Sequence, residues 1–168
     1  MRKRKEGLSS RRGLPISEGP GLYLTKSPEA TFALGEALGR SLKSGVIALR
    51  GDLGSGKTLL AKGVACGLGI QDVKRDVISP TFTIIREYQA KIPFYHIDLY
   101  RVRSLNEVIE LDLKRYFYSD GVTLVEWPDR CESFLPDKYV DIIIEILGLR
   151  RRRIRISGCE FLSVQGKT

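Results

Sequence analysis

The chain has 168 residues, 42% hydrophobic and 29% charged, enough for one packed domain and short for two. No apolar run approaches the roughly 20 residues of a membrane-spanning helix, and the basic N-terminus lacks the apolar core of a signal peptide. A soluble, cytoplasmic protein without membrane association is therefore expected, and Cys66, Cys131 and Cys159, with no C-x-x-C pair, indicate neither a disulfide framework nor a zinc site. The net charge of +8 gathers in two places, Arg2 to Lys5 with Arg11 and Arg12, and Arg150 to Arg153 with Arg155. Either run suits an acidic partner such as RNA, or is simply solvated, since no aromatic residue interleaves it to stack bases.

Residues 1–21 are rich in Arg, Lys, Ser, Gly and Pro without periodicity and read as a disordered extension, leaving a domain over 22–157 and a tail over 158–168. Leu22 to Leu24 suggests a short strand. Ser27–Pro28–Glu29 supplies an N-cap, a first-turn proline and a first-turn acid. A helix is then expected to about Lys43, with Ala30, Leu34, Ala37, Leu38 and Leu42 at helical spacing and Gly45 ending it. Val46 to Leu49 predicts a buried strand, and Leu59, Leu60, Val64 and Leu68 a helix closed by Gly69.

Asp72 to Asp76 reads as a polar connection, and Ser79–Pro80–Thr81 cannot continue a helix. Phe82 to Ile85 and Pro93 to Asp98 predict a hairpin turning near Ala90 and Lys91. Ser104 and Glu107 form a capping box opening a helix with Leu105, Val108, Ile109 and Leu111. Val122 to Trp127 reads as a buried strand ended by Pro128, and Tyr139 to Leu147 and Arg152 to Ile156 as strands joined at Gly148.

Chemistry concentrates where the Val46 to Leu49 strand ends. Gly51, Gly56, Lys57 and Thr58 fill the G-x-x-x-x-G-K-[ST] pattern between a strand and a helix, the context a phosphate-binding loop needs. Gly51, Gly54 and Gly56 allow positive φ and close backbone approach, so that successive N–H groups can form an anion nest at the positive end of a helix. Lys57 is placed to reach the β- and γ-phosphates, and the Thr58 hydroxyl to hold Mg²⁺.

Hydrolysis or transfer also needs a carboxylate at the end of a neighbouring strand. Glu126 follows Val122 to Val125, and Asp98 follows Phe94 to Ile97. Ser79, Pro80, Thr81 and Phe82 lie where a nucleotide-sensing switch would sit. His96 is read as a supporting structural residue, Trp127 as lying near the site, and Arg101 as either a phosphate contact or a surface ion pair. The only asparagine, Asn106, is followed by Glu107, so the Asn-Lys-x-Asp base-reading motif of a GTPase is missing.

Gly51 to Thr58, then Ser79–Pro80–Thr81–Phe82, then His96–Ile97–Asp98–Leu99–Tyr100–Arg101, then Val125–Glu126–Trp127–Pro128 together resemble the bacterial TsaE family. The similarity runs from about Leu22 to Ile156. It implies an α/β, three-layer P-loop NTPase fold whose central mixed, partly parallel sheet is flanked by helices. It also implies a small ATPase acting with TsaD and TsaB in making threonylcarbamoyladenosine on tRNA, with tRNA reached directly or through the complex. By position, the resemblance makes Leu53, Gly54, Ser55, Gly56, Lys57 and Thr58 the ATP phosphate cradle and Thr58 and Glu126 the Mg²⁺ residues. Lys57, Asp98 and Glu126 become the catalytic set, Trp127 stands beside the nucleotide, residues 79–82 are switch-like, and the adenine lies near Ser27 to Glu29. A P-loop kinase for a small molecule or nucleoside, and a non-enzymatic basic RNA-binding module, are the alternative readings.

Overall fold

The structure is a computed structural model and describes residues 14–71, 73, 83–158 and 163–164. Its strands are β1 (Ile16–Gly19), β2 (Leu22–Thr25), β3 (Leu42–Arg50), β4 (Ile85–Tyr88), β5 (Phe94–Asp98), β6 (Val122–Glu126), β7 (Val140–Ile146), β8 (Arg152–Ser157) and β9 (Ser163–Val164). Its helices are α1 (Pro28–Ser41) and α2 (Lys57–Gly67), with the shorter α3 (Leu105–Glu110) and α4 (Lys114–Phe117). Val46 to Leu49 of β3 are buried on both faces, which explains their unbroken apolar run.

The strands lie in the order β1-β2-β8-β7-β3-β6-β5-β4, with β9 pairing to β3 off this path. Four central strands, β7, β3, β6 and β5, run parallel, and antiparallel partners extend both edges. Period-2 alternation divides the core in two. Ile47, Leu49, Leu124 and Ile142 pack with Leu34, Leu60 and Val64 of α1 and α2. Val46, Val125 and Ile97 pack with Val108, Tyr116 and Phe117 of α3 and α4 on the opposite face. The fold is thus the expected α/β mixed sheet between helical layers, and among the described residues no helix is long and apolar enough to cross a membrane.

Three boundaries differ from the sequence reading. The hairpin β1–β2 begins at Ile16, inside the stretch whose composition predicts a disordered extension, because Ile16 pairs with Leu24 and Ser17 with Tyr23. Helix α1 ends at Ser41 instead of near Lys43, since Leu42 already belongs to β3 and pairs with Val164. The strand expected over Phe82 to Ile85 is displaced: Ile84 takes φ 64°, and pairing runs from Ile85 to Tyr88. Asp72, residues 74–82 and Cys159 lie outside the described residues.

Helices α1 and α2 approach more closely than ordinary side chains permit. A Cβ built on Gly39 would stand 2.2 Å from the Val64 carbonyl oxygen, and one on Gly63 2.2 Å from that of Phe32. Gly35 with Gly39, and Gly63 with Gly67, are spaced by four and form facing seams. This contact presses α2, whose first turn carries Lys57 and Thr58, against its neighbour.

Candidate active site

The loop between β3 and α2 lies at the C-terminal ends of the parallel strands, where open α/β sheets leave a crevice for ligands. Gly56 caps α2 at φ 106°, a conformation that disfavours any side chain, and among the described residues the helix opens without a side-chain cap. Its first N–H groups therefore remain available to an anion. The buried Lys57 donates from Nζ to the carbonyls of Gly51 at 2.7 Å and Asp52 at 2.9 Å. The same ammonium lies 4.2 Å from the centroid of the Trp127 ring. Burial holds the Lys57 pKa below the usual lysine value, against the opposing pull of Glu126, Asp98 and Asp52.

Parallel pairing of β5 with β6 sets Asp98 directly beside Glu126, and both are buried. Glu126 Oε1 accepts from Thr58 Oγ1 at 3.3 Å and lies 2.8 Å from His96 Nε2. A carboxylate can only accept, so the His96 proton belongs on Nε2; its Nδ1 is buried without a partner among the described residues. One oxygen thus joins the first turn of α2 to the interior of β5. Asp98 Oδ1 accepts from the Tyr100 N–H at 3.0 Å, which fixes one carboxylate oxygen at the strand end.

Trp127 follows β6 in the left-handed region, φ 59°, and its ring lies over Lys57. Arg50, the last residue of β3, anchors the short turns that follow. It donates to Asp141 at 2.7 Å, to Glu132 at 3.0 and 3.1 Å, and to Asp129. Burial alone would lower its pKa, but the bonds to Asp141 and Glu132 outweigh that and keep the guanidinium charged. The Trp127 ring also meets the Tyr100 ring, 5.2 Å away centroid to centroid.

Leu53, Gly54, Gly56, Lys57, Thr58, Asp98, Glu126 and Trp127 therefore meet around one cleft of about 360 Å³, with the Leu53 side chain largely exposed at its lip. Ser55 belongs to the loop through its backbone: its buried hydroxyl has no partner among the described residues and does not line the cleft. Ser27, Pro28 and Thr31 border a separate recess of about 50 Å³ on the other side of Gly56, shared with Leu149, Arg150 and Arg152. A larger groove of about 670 Å³ lies between α1, β2 and β8, but among the described residues its lining holds no acidic or basic side chain. Arg101 is exposed, and residues 79–82 lie outside the described residues.

The donor chemistry suits a hard cation. Thr58 and Glu126 offer oxygen ligands side by side, with the Asp98 carboxylate on the adjacent strand. Among the described residues no group of three His, Cys, Asp or Glu could hold a metal unaided. That combination fits Mg²⁺, which takes one or two protein oxygens and completes its shell with water and phosphate.

Sequence reading missed three participants: the His96–Glu126 bond, the Arg50 anchor and an arginine from β8, Arg152, bonded to the loop. Each joins residues at least 30 positions apart. The adjacency of Arg50 to Gly51 was the one visible signal for its role.

A family model described as threonylcarbamoyl adenosine biosynthesis protein TsaE matches residues 25–154, a span holding the loop, both carboxylates, His96 and Trp127. The chain belongs to the TsaE family. TsaE relatives named as tRNA threonylcarbamoyladenosine biosynthesis proteins include one from Bacillus subtilis, 45% identical over 81% of this chain and 84% of its own. Another, from Treponema pallidum, is 36% identical over 80% of this chain and 98% of its own. A third, from Aquifex aeolicus, is 41% identical over 79% and 92%. The crystal structure of Bacillus subtilis YdiB superposes with a TM-score of 0.68 at 38% identity, covering 80% of this chain and 82% of that one.

Proposed function

We propose that this TsaE-family chain binds Mg²⁺-ATP in the cleft between α2 and the ends of β5 and β6, and hydrolyses it as the accessory ATPase of tRNA threonylcarbamoyladenosine modification, acting with TsaD and TsaB. The observation that carries the reading is the 3.3 Å contact of Thr58 Oγ1 with Glu126 Oε1 beside the buried Lys57 ammonium. A positive charge, free helix N–H groups and a hydroxyl–carboxylate pair converge there, as phosphoryl transfer requires.

In this reading Lys57 and the N–H groups of Gly54 and of Gly56 to Thr58 take the β- and γ-phosphates, and the buried ammonium supplies positive charge where the transferred group becomes more negative. Thr58 and Glu126 would hold Mg²⁺, which adds electrostatic stabilisation of the phosphate oxygens when bound. His96 keeps the Glu126 carboxylate turned toward Thr58. Asp98, next to Glu126, orients the attacking water and takes its proton. Trp127 shields Lys57 from bulk water on the remaining side. The adenine lies near Ser27 to Glu29, residues 79–82 sense the γ-phosphate, and TsaD and TsaB read the resulting state.

Phosphate release from ATP, measured with and without purified TsaD and TsaB, tests the reading. Stimulation by the pair, with one phosphate per ATP and no phosphorylated acceptor, is expected. A rate indifferent to the pair would remove the accessory role, and a phosphorylated product would make the chain a kinase.

A further inference from the structure

The arginine run at Arg150 to Arg153 divides its labour. Arg153 forms ion pairs with Glu145 at 3.4 Å and Glu18 at 4.0 Å, while Arg151 and Arg155 are exposed. Arg152 turns inward. Its Nε donates to the Ser55 carbonyl at 2.7 Å and its Nη2 to the Gly54 carbonyl at 3.3 Å. Its Nη1 donates to the carbonyls of Gly148 at 2.8 Å and Arg151 at 3.0 Å. All four acceptors are backbone carbonyls, so among the described residues this cation is held by dipoles instead of by a carboxylate.

We infer that Arg152 is a positioning residue for the nucleotide site, setting the orientation of the two peptides at the crown of the phosphate loop. The inference rests on the nucleotide reading above. A trans peptide is planar, with its C=O and N–H pointing to opposite sides, and the chain has no cis bond among the described residues. With the Ser55 carbonyl drawn out toward Arg152, the N–H of the same peptide, that of Gly56, points the other way, toward the cleft. That N–H has no backbone acceptor among the described residues. The preceding peptide is fixed on both sides, by Arg152 at the Gly54 carbonyl and by the 3.1 Å bond from the Ser55 N–H to the Asp52 carbonyl.

Glycines flank Ser55 on both sides, at φ 77° for Gly54 and 106° for Gly56, so the loop alone offers little resistance to a peptide flip. The fork of a guanidinium supplies what is missing, because it spans two loop carbonyls and the β7–β8 turn with donors in fixed directions. A lysine, one point charge with three rotatable donors, cannot span all of these. Part of the ordering that a nucleotide would otherwise impose is thereby present before binding.

Calorimetric titration of the full chain with Mg²⁺-ADP and Mg²⁺-ATP tests this, using Arg152→Ala, Arg152→Gln, Arg152→Lys and, as control, Arg153→Ala. The loss of charge-assisted bonds that orient the loop should weaken binding by Arg152→Ala about tenfold. Arg152→Lys should stay weak, Arg153→Ala should match the unmodified chain, and added ethylguanidinium should partly restore Arg152→Ala. Should Arg152→Ala melt early, Arg152→Gln, which keeps most of the stem, carries the same expectation. Unchanged affinity in Arg152→Gln, or full affinity in Arg152→Lys, would overturn the positioning role while leaving the nucleotide reading intact. Absence of binding by the unmodified chain would overturn that reading, and the inference with it.

Discussion

His96 Nε2 and Glu126 Oε1 stand 2.8 Å apart inside the sheet, both side chains closed off from solvent, and the same carboxylate oxygen faces Thr58 at the start of α2. The buried histidine thus acts on the site through Glu126. Hydrogen-bond partners that orient a metal-ligating carboxylate typically matter by about 10- to 100-fold, and with Glu126 in the proposed Mg²⁺ role His96→Ala should lower ATP turnover by that order with a smaller change in KM. His96→Gln, whose amide nitrogen can reach the position of Nε2, should recover part of the loss. Equal turnover in His96→Ala and the unmodified chain would show that the bond only fills the core.

Trp127 is the only tryptophan, and its ring lies 4.2 Å from the Lys57 ammonium. A cation at that distance perturbs the indole by an interaction of about 0.5–2 kcal/mol. When phosphate draws Lys57 toward the cleft, the emission should shift and saturate with nucleotide. The signal should vanish in Lys57→Ala. Emission that stays constant while calorimetry reports binding would mean that the contact persists with nucleotide present.

The glycine seam between α1 and α2 makes a prediction about stability. Because a methyl group on Gly39 would meet the Val64 carbonyl oxygen at 2.2 Å, and both partners are helix backbone, the helices must separate to admit it. Overpacking of this kind costs about 1–3 kcal/mol or more. Gly39→Ala should lower the denaturant midpoint by a corresponding amount with the slope unchanged, whereas an unaltered midpoint would mean that α1 can shift without penalty.

Cys131 gives a pH dependence. Burial, aided by the nearby charge of Glu132, pushes its thiol up to about 12 from an ordinary value of 9.0. A group raised on folding contributes stability that is complete below its unfolded pKa and is lost as pH climbs through the folded one. The unfolded chain therefore gains from ionising this thiol from pH 9 upward, while the native state resists until about 12. Between pH 8 and about pH 10.5 the unmodified chain should lose more thermal stability than Cys131→Ala. Parallel melting curves for the two would remove Cys131 as the cause.

The parts of this fold visible in the sequence are those written in consecutive residues. Val46 to Leu49 announced a central strand, Gly51 to Thr58 the loop, and Ser27 and Ser104 cap their helices by accepting from Ala30 and Glu107. The β1–β2 hairpin was hidden because Ile16 to Gly19 has no apolar alternation, and its partner β2 pairs in turn with β8 from the far end of the chain. The start of β4 was misplaced because the apolar pattern continues through Ile84 while the backbone there turns to φ 64°.

For the site, Lys57, Thr58, Asp98, Glu126 and Trp127 were legible as residue types in a pattern, and the structure gathers them around one cleft. What the pattern could not contain was which oxygen each donor reaches. Arg152 looked like one member of a basic run; only the β7–β8 turn brings it to Gly54 and Ser55. The four-residue spacing of Gly35 with Gly39, and of Gly63 with Gly67, was present in the sequence and signals a close helix contact.

The most direct measurement is phosphate release from Mg²⁺-ATP by the unmodified chain, Lys57→Ala and Glu126→Ala, each first shown to be folded by its melting curve. Removing the ammonium or the carboxylate takes away electrostatic stabilisation worth about 100-fold or more in turnover, so both variants should fall to background while the unmodified chain releases phosphate. Turnover by both variants at the unmodified rate would contradict the assignment of this cleft as an ATPase site.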